Sequence, residues 1–209
     1  MTVSRKEGFS LIEVMVTLVV LAIGLAMAFP SWEQSTQKRR LTSAAEQLAS
    51  FLSEAQGSAI KHNRELTVSL QHTSATEWCL GAVLGGTACD CTVTDATDAA
   101  FCAIDGAPQV LDQSLFGTTE MPDHSADTTF SFEPIRGIMA NADLGNVHSY
   151  DLLSENSQFA LQVNVLPTGR IRLCGYDSDK RVPGYAECPV EAVEDPEDPE
   201  DPEDPPWGF

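Results

Sequence analysis

The chain has 209 residues, 43% of them hydrophobic, and a formal net charge of −19 at pH 7. That length supplies one modest globular core besides terminal segments. The acidic balance excludes a broad basic surface for nucleic acid but leaves room for a local patch.

The first element is the stretch "RKEGFSLIEVMVTLVVLAIGLAMAFP", from Arg5 to Pro30. Between Phe9 and Phe29 the only charge is Glu13, and these 21 residues at helical rise reach about 31 Å, enough to cross a bilayer core. A cleaved secretory signal is the rival reading, because Arg5 and Lys6 lead the segment and Ala26-Met27-Ala28 offers a small-x-small site. Glu13 counts against it, since a carboxylate at the head of an apolar run is unfavourable and a discarded segment gains nothing from keeping it. Flanking cations leave the orientation open, because Lys38, Arg39 and Arg40 follow the span as Arg5 and Lys6 precede it.

With Gly8, Phe9, Glu13 and Pro30 in register, the segment resembles the class III leader of type IV pilins and of type II secretion pseudopilins. The resemblance implies that a prepilin peptidase cuts after Gly8 and methylates the new amino group of Phe9. Residues 1–8 are then a cytoplasmic leader and 9–30 a transmembrane and filament-core helix. Glu13 would pair with the amine of its own or a neighbouring subunit, offsetting a cost of up to about 2.5 to 3.5 kcal/mol for an unpaired charge deeper in the bilayer.

Beyond Pro30, Leu41, Ala44, Ala45, Leu48, Phe51, Leu52, Ala55 and Ala59 recur at three- and four-residue steps, with Arg39, Arg40, Glu46, Gln47, Glu54 and Lys61 elsewhere around the axis. This periodicity predicts an amphipathic helix with one buried stripe. Pro30 is expected to bend or loosen the join. The rod from Ser10 to His62 comes to about 80 Å.

The period then changes from helix to strand. Leu66, Val68 and Leu70 alternate with Thr67, Ser69 and Gln71; Phe130 and Phe132 with Thr129 and Ser131; and Phe159, Leu161, Val163 and Val165 with Gln158, Gln162 and Asn164. These read as half-buried strands. Pro167-Thr168-Gly169 turns the chain into "RIRLC", where Ile171 and Leu173 face one side and Arg170 and Arg172 the other. The expected architecture is α+β, a pilin fold in which the long N-terminal helix packs on an antiparallel sheet over residues 31–190.

Six cysteines, Cys79, Cys89, Cys91, Cys102, Cys174 and Cys188, follow the apolar segment and read as disulfides in an oxidising compartment. They favour an extracytoplasmic C-terminal side. Zinc is disfavoured, because Cys89 and Cys91 stand one residue apart and no paired-His spacing accompanies them. A Cys174 to Cys188 bridge is expected, and the pairing of the other four is open.

Trp78-Cys79-Leu80-Gly81, Cys89-Asp90-Cys91 and Gly169-Arg170-Ile171-Arg172 with Cys174 just after make the second half similar to the GspH/FimT group. In FimT-type minor pilins a Gly-Arg-x-Arg motif is associated with DNA binding, so the resemblance points to Arg170 and Arg172, with Lys180 and Arg181 in the following loop, as contacts to double-stranded DNA. Guanidinium groups bind phosphates bidentately, and phosphate contacts from all four cations give a log-log salt slope of roughly −3.6. The alternative is a solvated strand face whose arginines pair with carboxylates.

Four Glu-Asp-Pro units end the chain before Trp207-Gly208-Phe209, and nine carboxylates lie between Glu191 and Asp204. Self-repulsion and polyproline geometry predict a disordered tail over 191–209, outside the pattern of the family. Catalysis finds no support: there is no Gly-Lys phosphate loop, no nucleophile elbow, and His62, His72, His124 and His148 are scattered. Neither a cofactor nor a metal is expected. The sequence thus points to a minor pilin or pseudopilin of the inner membrane, with other pilins and a prepilin peptidase as partners, a periplasmic domain, and a DNA-binding role as the alternative.

Overall fold

The computed structural model describes residues 10–122, 128–140 and 147–189, apart from the side chains of 27–31. The leader and the tail foreseen from the sequence, 1–8 and 191–209, lie outside the described residues, as do Gly8 and Phe9.

One helix, α1 (Leu11–His62, 52 residues), runs through Pro30, so the expected join does not divide it into two elements. Ser10 precedes it in extended geometry, and Glu13 sits in its first turn, where a carboxylate complements the positive helix end. At the other end Asn63 takes left-handed geometry (φ 48°) and its backbone N–H returns to Ala59 and Ile60, closing the last turn.

The helix has two unlike halves. Every large apolar side chain from Leu11 to Leu25 is exposed, whereas the stripe from Leu41 through Leu48 and Leu52 to Ala59 is buried. Among the described residues no helix is long and apolar enough to cross a membrane. The described apolar side chains end at Ala26, and the longer span read from the sequence includes positions 27–29.

Among the described residues nine strands follow: β1 (Leu66–Ser74), β2 (Glu77–Leu84), β3 (Ala103–Ile104), β4 (Ala107–Pro108), β5 (Val110–Asp112), β6 (Thr129–Phe132), β7 (His148–Leu153), β8 (Ala160–Val165) and β9 (Ile171–Cys174). They form two main antiparallel sheets, β5-β2-β1-β6 and β7-β8-β9, with β3-β4 as a small hairpin. The sequence suggested one sheet. The break falls between β6 and β7, where reciprocal backbone bonds between Glu120 and Leu153, and one from Met139 N–H to the Pro167 carbonyl, connect the two sheets.

The inner faces of both sheets close on the helix stripe. Leu66, Val68, Leu70, Trp78, Leu80 and Phe132 from the first sheet, and Tyr150, Leu152, Leu161, Val163 and Val165 from the second, share one core with it. Trp78 stacks on Phe116, their ring centroids 5.6 Å apart.

The polar faces of β1 and β8 are covered, contrary to the alternation read from the sequence. Thr67 and Ser69 are each 1% exposed. The segment after β2 lies over them: the Thr67 hydroxyl donates to the Gly85 carbonyl, and the Cys89 N–H donates to Ser69 Oγ. Disulfides Cys79–Cys91 and Cys89–Cys102 hold that segment in place. Gly81 opposes Ser69 on this outer face, and a Cβ there would overlap Cys102 Sγ, so the strand needs glycine where the bridge crosses it. The second sheet is treated alike. Asn164 on β8 is buried and its Nδ2 reaches Cys174 Sγ, while Cys174–Cys188 closes the chain over that face.

Leu48→Ala should lower the domain's unfolding free energy by about 2 to 5 kcal/mol, the usual range for emptying a fully buried leucine site. Leu18→Ala, on the exposed half, should leave it unchanged. Denaturant titration of both variants in detergent tests the contrast.

Candidate functional site

Two regions carry the residues singled out from the sequence, and they lie in different parts of the molecule. The first is the exposed apolar half of α1. Glu13 is exposed there among Leu11, Ile12, Val14 and Val16, with its backbone N–H bonded to the Ser10 carbonyl at 3.1 Å. It is the only described charge between Ser10 and Ala26. A surface of this kind buries itself only against lipid or against other apolar helices.

The second region is the outer face of β7-β8-β9. Strand pairing sets Ser149 opposite Asn164 and Asn164 opposite Arg172, and the next row is Asp151, Gln162 and Cys174. Arg170 falls just before β9, in the turn whose Leu166 N–H bonds to the Arg170 carbonyl, so only Arg172 of the pair lies within the strand. Arg170 is exposed in that turn, two residues and about 7 Å of extended chain before Arg172. Neither has a carboxylate within ion-pair distance among the described residues.

Lys180 and Arg181 differ in this respect. They sit in the bridged segment, Lys180 3.4 Å from Asp177 and Arg181 2.8 Å from Glu187. The structure thus places one pair of the four cations on a strand face and turn, and holds the other pair against carboxylates in a separate loop. At the end of α1, His62 Nε2 lies 3.3 Å from Asp105.

The glycine of Gly169-Arg170-Ile171-Arg172 has a structural cause. Its φ is 77°, in the left-handed region, and a Cβ there would overlap the Gly137 carbonyl oxygen. Gln56 of α1 clamps the two turns together, its Nε2 donating to the Gly137 carbonyl at 2.7 Å and the Gly169 carbonyl at 2.9 Å. The arginines are therefore aimed by a turn tied to the helix.

Sequence reasoning passed over the polar row beneath them. Asp151 accepts from Gln162 Nε2 at 2.6 Å, and Gln162 Oε1 accepts from Asn164 Nδ2 at 2.9 Å. Tyr176 stands nearby, its hydroxyl pKa pushed up to about 12, first by burial and then by the charges of Asp151 and Asp177. Gln162 and Asn164 looked like solvated alternates in a strand pattern; no local signal marks them as covered. Among the described residues no group of three or more His, Cys, Asp or Glu side chains is placed to hold a metal ion.

With this geometry in view, comparison with known families is informative. Residues 3–29 match the model of the prokaryotic N-terminal methylation motif, and residues 44–169 match that of the type II transport protein GspH. The chain belongs to the GspH family. It is a pilin-type subunit, a minor pilin or pseudopilin, in a family of structural rather than enzymatic proteins. Two crystal structures of the type IV minor pilin FimU of Pseudomonas aeruginosa align with this GspH-family chain at TM-scores of 0.46 and 0.43, with 16% and 17% identity. The alignments cover 72% and 69% of this chain and 97% and 98% of theirs. No curated protein matches the sequence.

Gly169→Ala should lower stability by about 1 to 3 kcal/mol, because it forces an alanine into positive φ and against a carbonyl. Arg170→Ala, at an exposed position without an ion pair, should change it by less than about 0.5 kcal/mol. Thermal or denaturant melts of the two variants separate the motif's architectural half from its charged half.

Proposed function

We propose that the chain is a processed subunit of a short filament, belonging to a type II secretion or type IV pilus machine and stored in the inner membrane before assembly. The observation that carries this reading is the division of α1, whose large apolar side chains from Leu11 to Leu25 are all exposed while its C-terminal half is covered by two sheets. One continuous rod thus meets two solvents, and the apolar half suits lipid first and neighbouring helices after extraction.

In this reading prepilin peptidase removes residues 1–8 after Gly8 and methylates Phe9. Residues 9–30 span the membrane, the domain over 31–190 stands in the periplasm, and 191–209 forms an acidic extension. Glu13, near the new N-terminus, pairs with the amine of a neighbouring subunit and fixes the stagger between helices in the filament. The three disulfides suit an oxidising compartment.

A second reading, DNA binding on such a filament, is favoured by Arg170 and Arg172, which lie two residues apart and have no carboxylate partner among the described residues. The ion pairs of Lys180 and Arg181 reduce the number of cations ready for phosphate from four to two.

Mass spectrometry of the protein from its native membrane should find a chain beginning at N-methylated Phe9; a chain beginning at Phe29 would restore the secretory signal. Glu13→Ala should insert normally yet enter filaments poorly, as measured by the ratio of membrane-bound to sheared-filament protein. For the DNA reading, titration of double-stranded DNA at several salt concentrations should give a log-log slope of about −1.8, the value for two phosphate contacts, and the slope should vanish in the Arg170→Ala, Arg172→Ala double variant.

A further inference from the structure

A groove of about 310 Å³ lies on the outer face of the second sheet, lined by Ser149, Gln162, Asn164, Leu166, Arg172 and Pro189. Its floor has an unusual defect. Asn164 is 8% exposed, and its Oδ1 is buried with no hydrogen-bond partner among the described residues. The orientation of the amide follows from its neighbours. The Asp151 carboxylate only accepts, so Gln162 turns its Nε2 toward it; Gln162 Oε1 must then accept from Asn164 Nδ2, and Asn164 Oδ1 is left as an acceptor in the floor of the groove. A buried acceptor without a donor costs free energy, and its need is met by any group that brings an N–H into the groove.

Beside this acceptor stands Arg172, paired across the strands with Asn164 and lacking a carboxylate within ion-pair distance among the described residues. The groove therefore asks for an N–H donor and an anion on one ligand. An extended peptide with acidic side chains has both, and its Glu and Asp residues keep the backbone donors that Pro lacks.

The chain carries such a peptide. Pro189 lines the groove itself, and the 20 residues that follow hold nine carboxylates and no cation. Five extended residues span about 17 Å, well beyond the spacing of about 7 Å between Arg172 and Arg170. We propose that the groove is a receptor for this chain's own C-terminal segment, with a backbone N–H of residues 190–195 donating to Asn164 Oδ1 and its carboxylates covering Arg172 and Arg170. The tether puts the ligand at an effective concentration in the millimolar range, so even a weak contact is occupied. Free polyanions then compete with a resident one, which makes the segment a charge-dependent cover on the arginine face.

The test is chemical modification of arginine by phenylglyoxal, read residue by residue by peptide mapping of the full chain in detergent. A chain ending at Pro189, and a chain whose tail carboxylates are changed to Gln and Asn, should both modify Arg172 about fivefold faster than the intact protein at low salt, the factor for a contact populated about four-fifths of the time. Arg64, near Gly85, serves as the reference and should react equally in all three. Near 1 M salt, where screening acts within about 3 Å, the difference should collapse. A synthetic peptide of residues 190–209 added to the truncated chain should restore protection, and Asn164→Ala should weaken that restoration. Equal Arg172 rates in the three chains at low salt would overturn the proposal, as would full protection by the neutralised tail. No nucleic acid enters this assay, so its failure leaves the DNA reading standing, and loss of the DNA reading leaves this one standing.

Discussion

The buried stripe of α1 is the constraint on which the rest of the structure depends. Leu41, Leu48, Leu52 and the small residues Ala44, Ala45, Ala55 and Ala59 form one apolar line, and both sheets close on it from different sides. The alanines let strands approach the helix axis closely, and the leucines fill the spaces between. Without that line neither sheet has a core of its own. Among the described residues of the same helix, the apolar side chains from Leu11 to Leu25 have no such cover, so one element carries both a buried and an exposed apolar surface.

The two sheets share a second device. Each presents a polar outer face, Thr67 and Ser69 on one and Asp151, Gln162 and Asn164 on the other, and each is overlaid by a segment too polar to stay by hydrophobic burial alone. Covalent bonds fix the overlays. A loop of about 15 residues closed by a disulfide is worth about 3 kcal/mol in the chain-entropy account, comparable to burying one or two large side chains. The disulfides thus substitute for a second core.

The helix was legible because its stripe follows a clean 3.6-residue period, and β1, β6, β8 and β9 because apolar residues alternate there. β2 was not, since "EWCLGAVL" is covered on both faces and its residues do not alternate in polarity. β7 was missed for a related reason: in "HSYDLL" the inward residues include His148 and Tyr150, which read as polar. For the arginines, strand parity put Arg172 on the face opposite Ile171 and Leu173, while Arg170 falls in the turn before β9. The ion pairs of Lys180 and Arg181 depend on where Asp177 and Glu187 fall in a loop, which no period encodes. The need for glycine at 169 was equally hidden, because Gly137 lies 32 positions away in the chain and is brought there by Gln56.

The bridges of the first sheet are interleaved: Cys79 joins Cys91, and Cys89, which lies between them, joins Cys102. A chain delivered to an oxidant from its N-terminal end presents Cys79 and Cys89 before Cys91 has emerged, and thiols oxidised in order of arrival would link that first pair. The native pattern requires that link to be undone. Exchange proceeds by thiolate attack through a mixed disulfide, and it ceases once the sulfurs are enclosed. All four cysteines are buried in the finished domain. In a chain oxidised in that order, native pairing is reached only by exchange, and exchange must come before the overlay closes on β1 and β2.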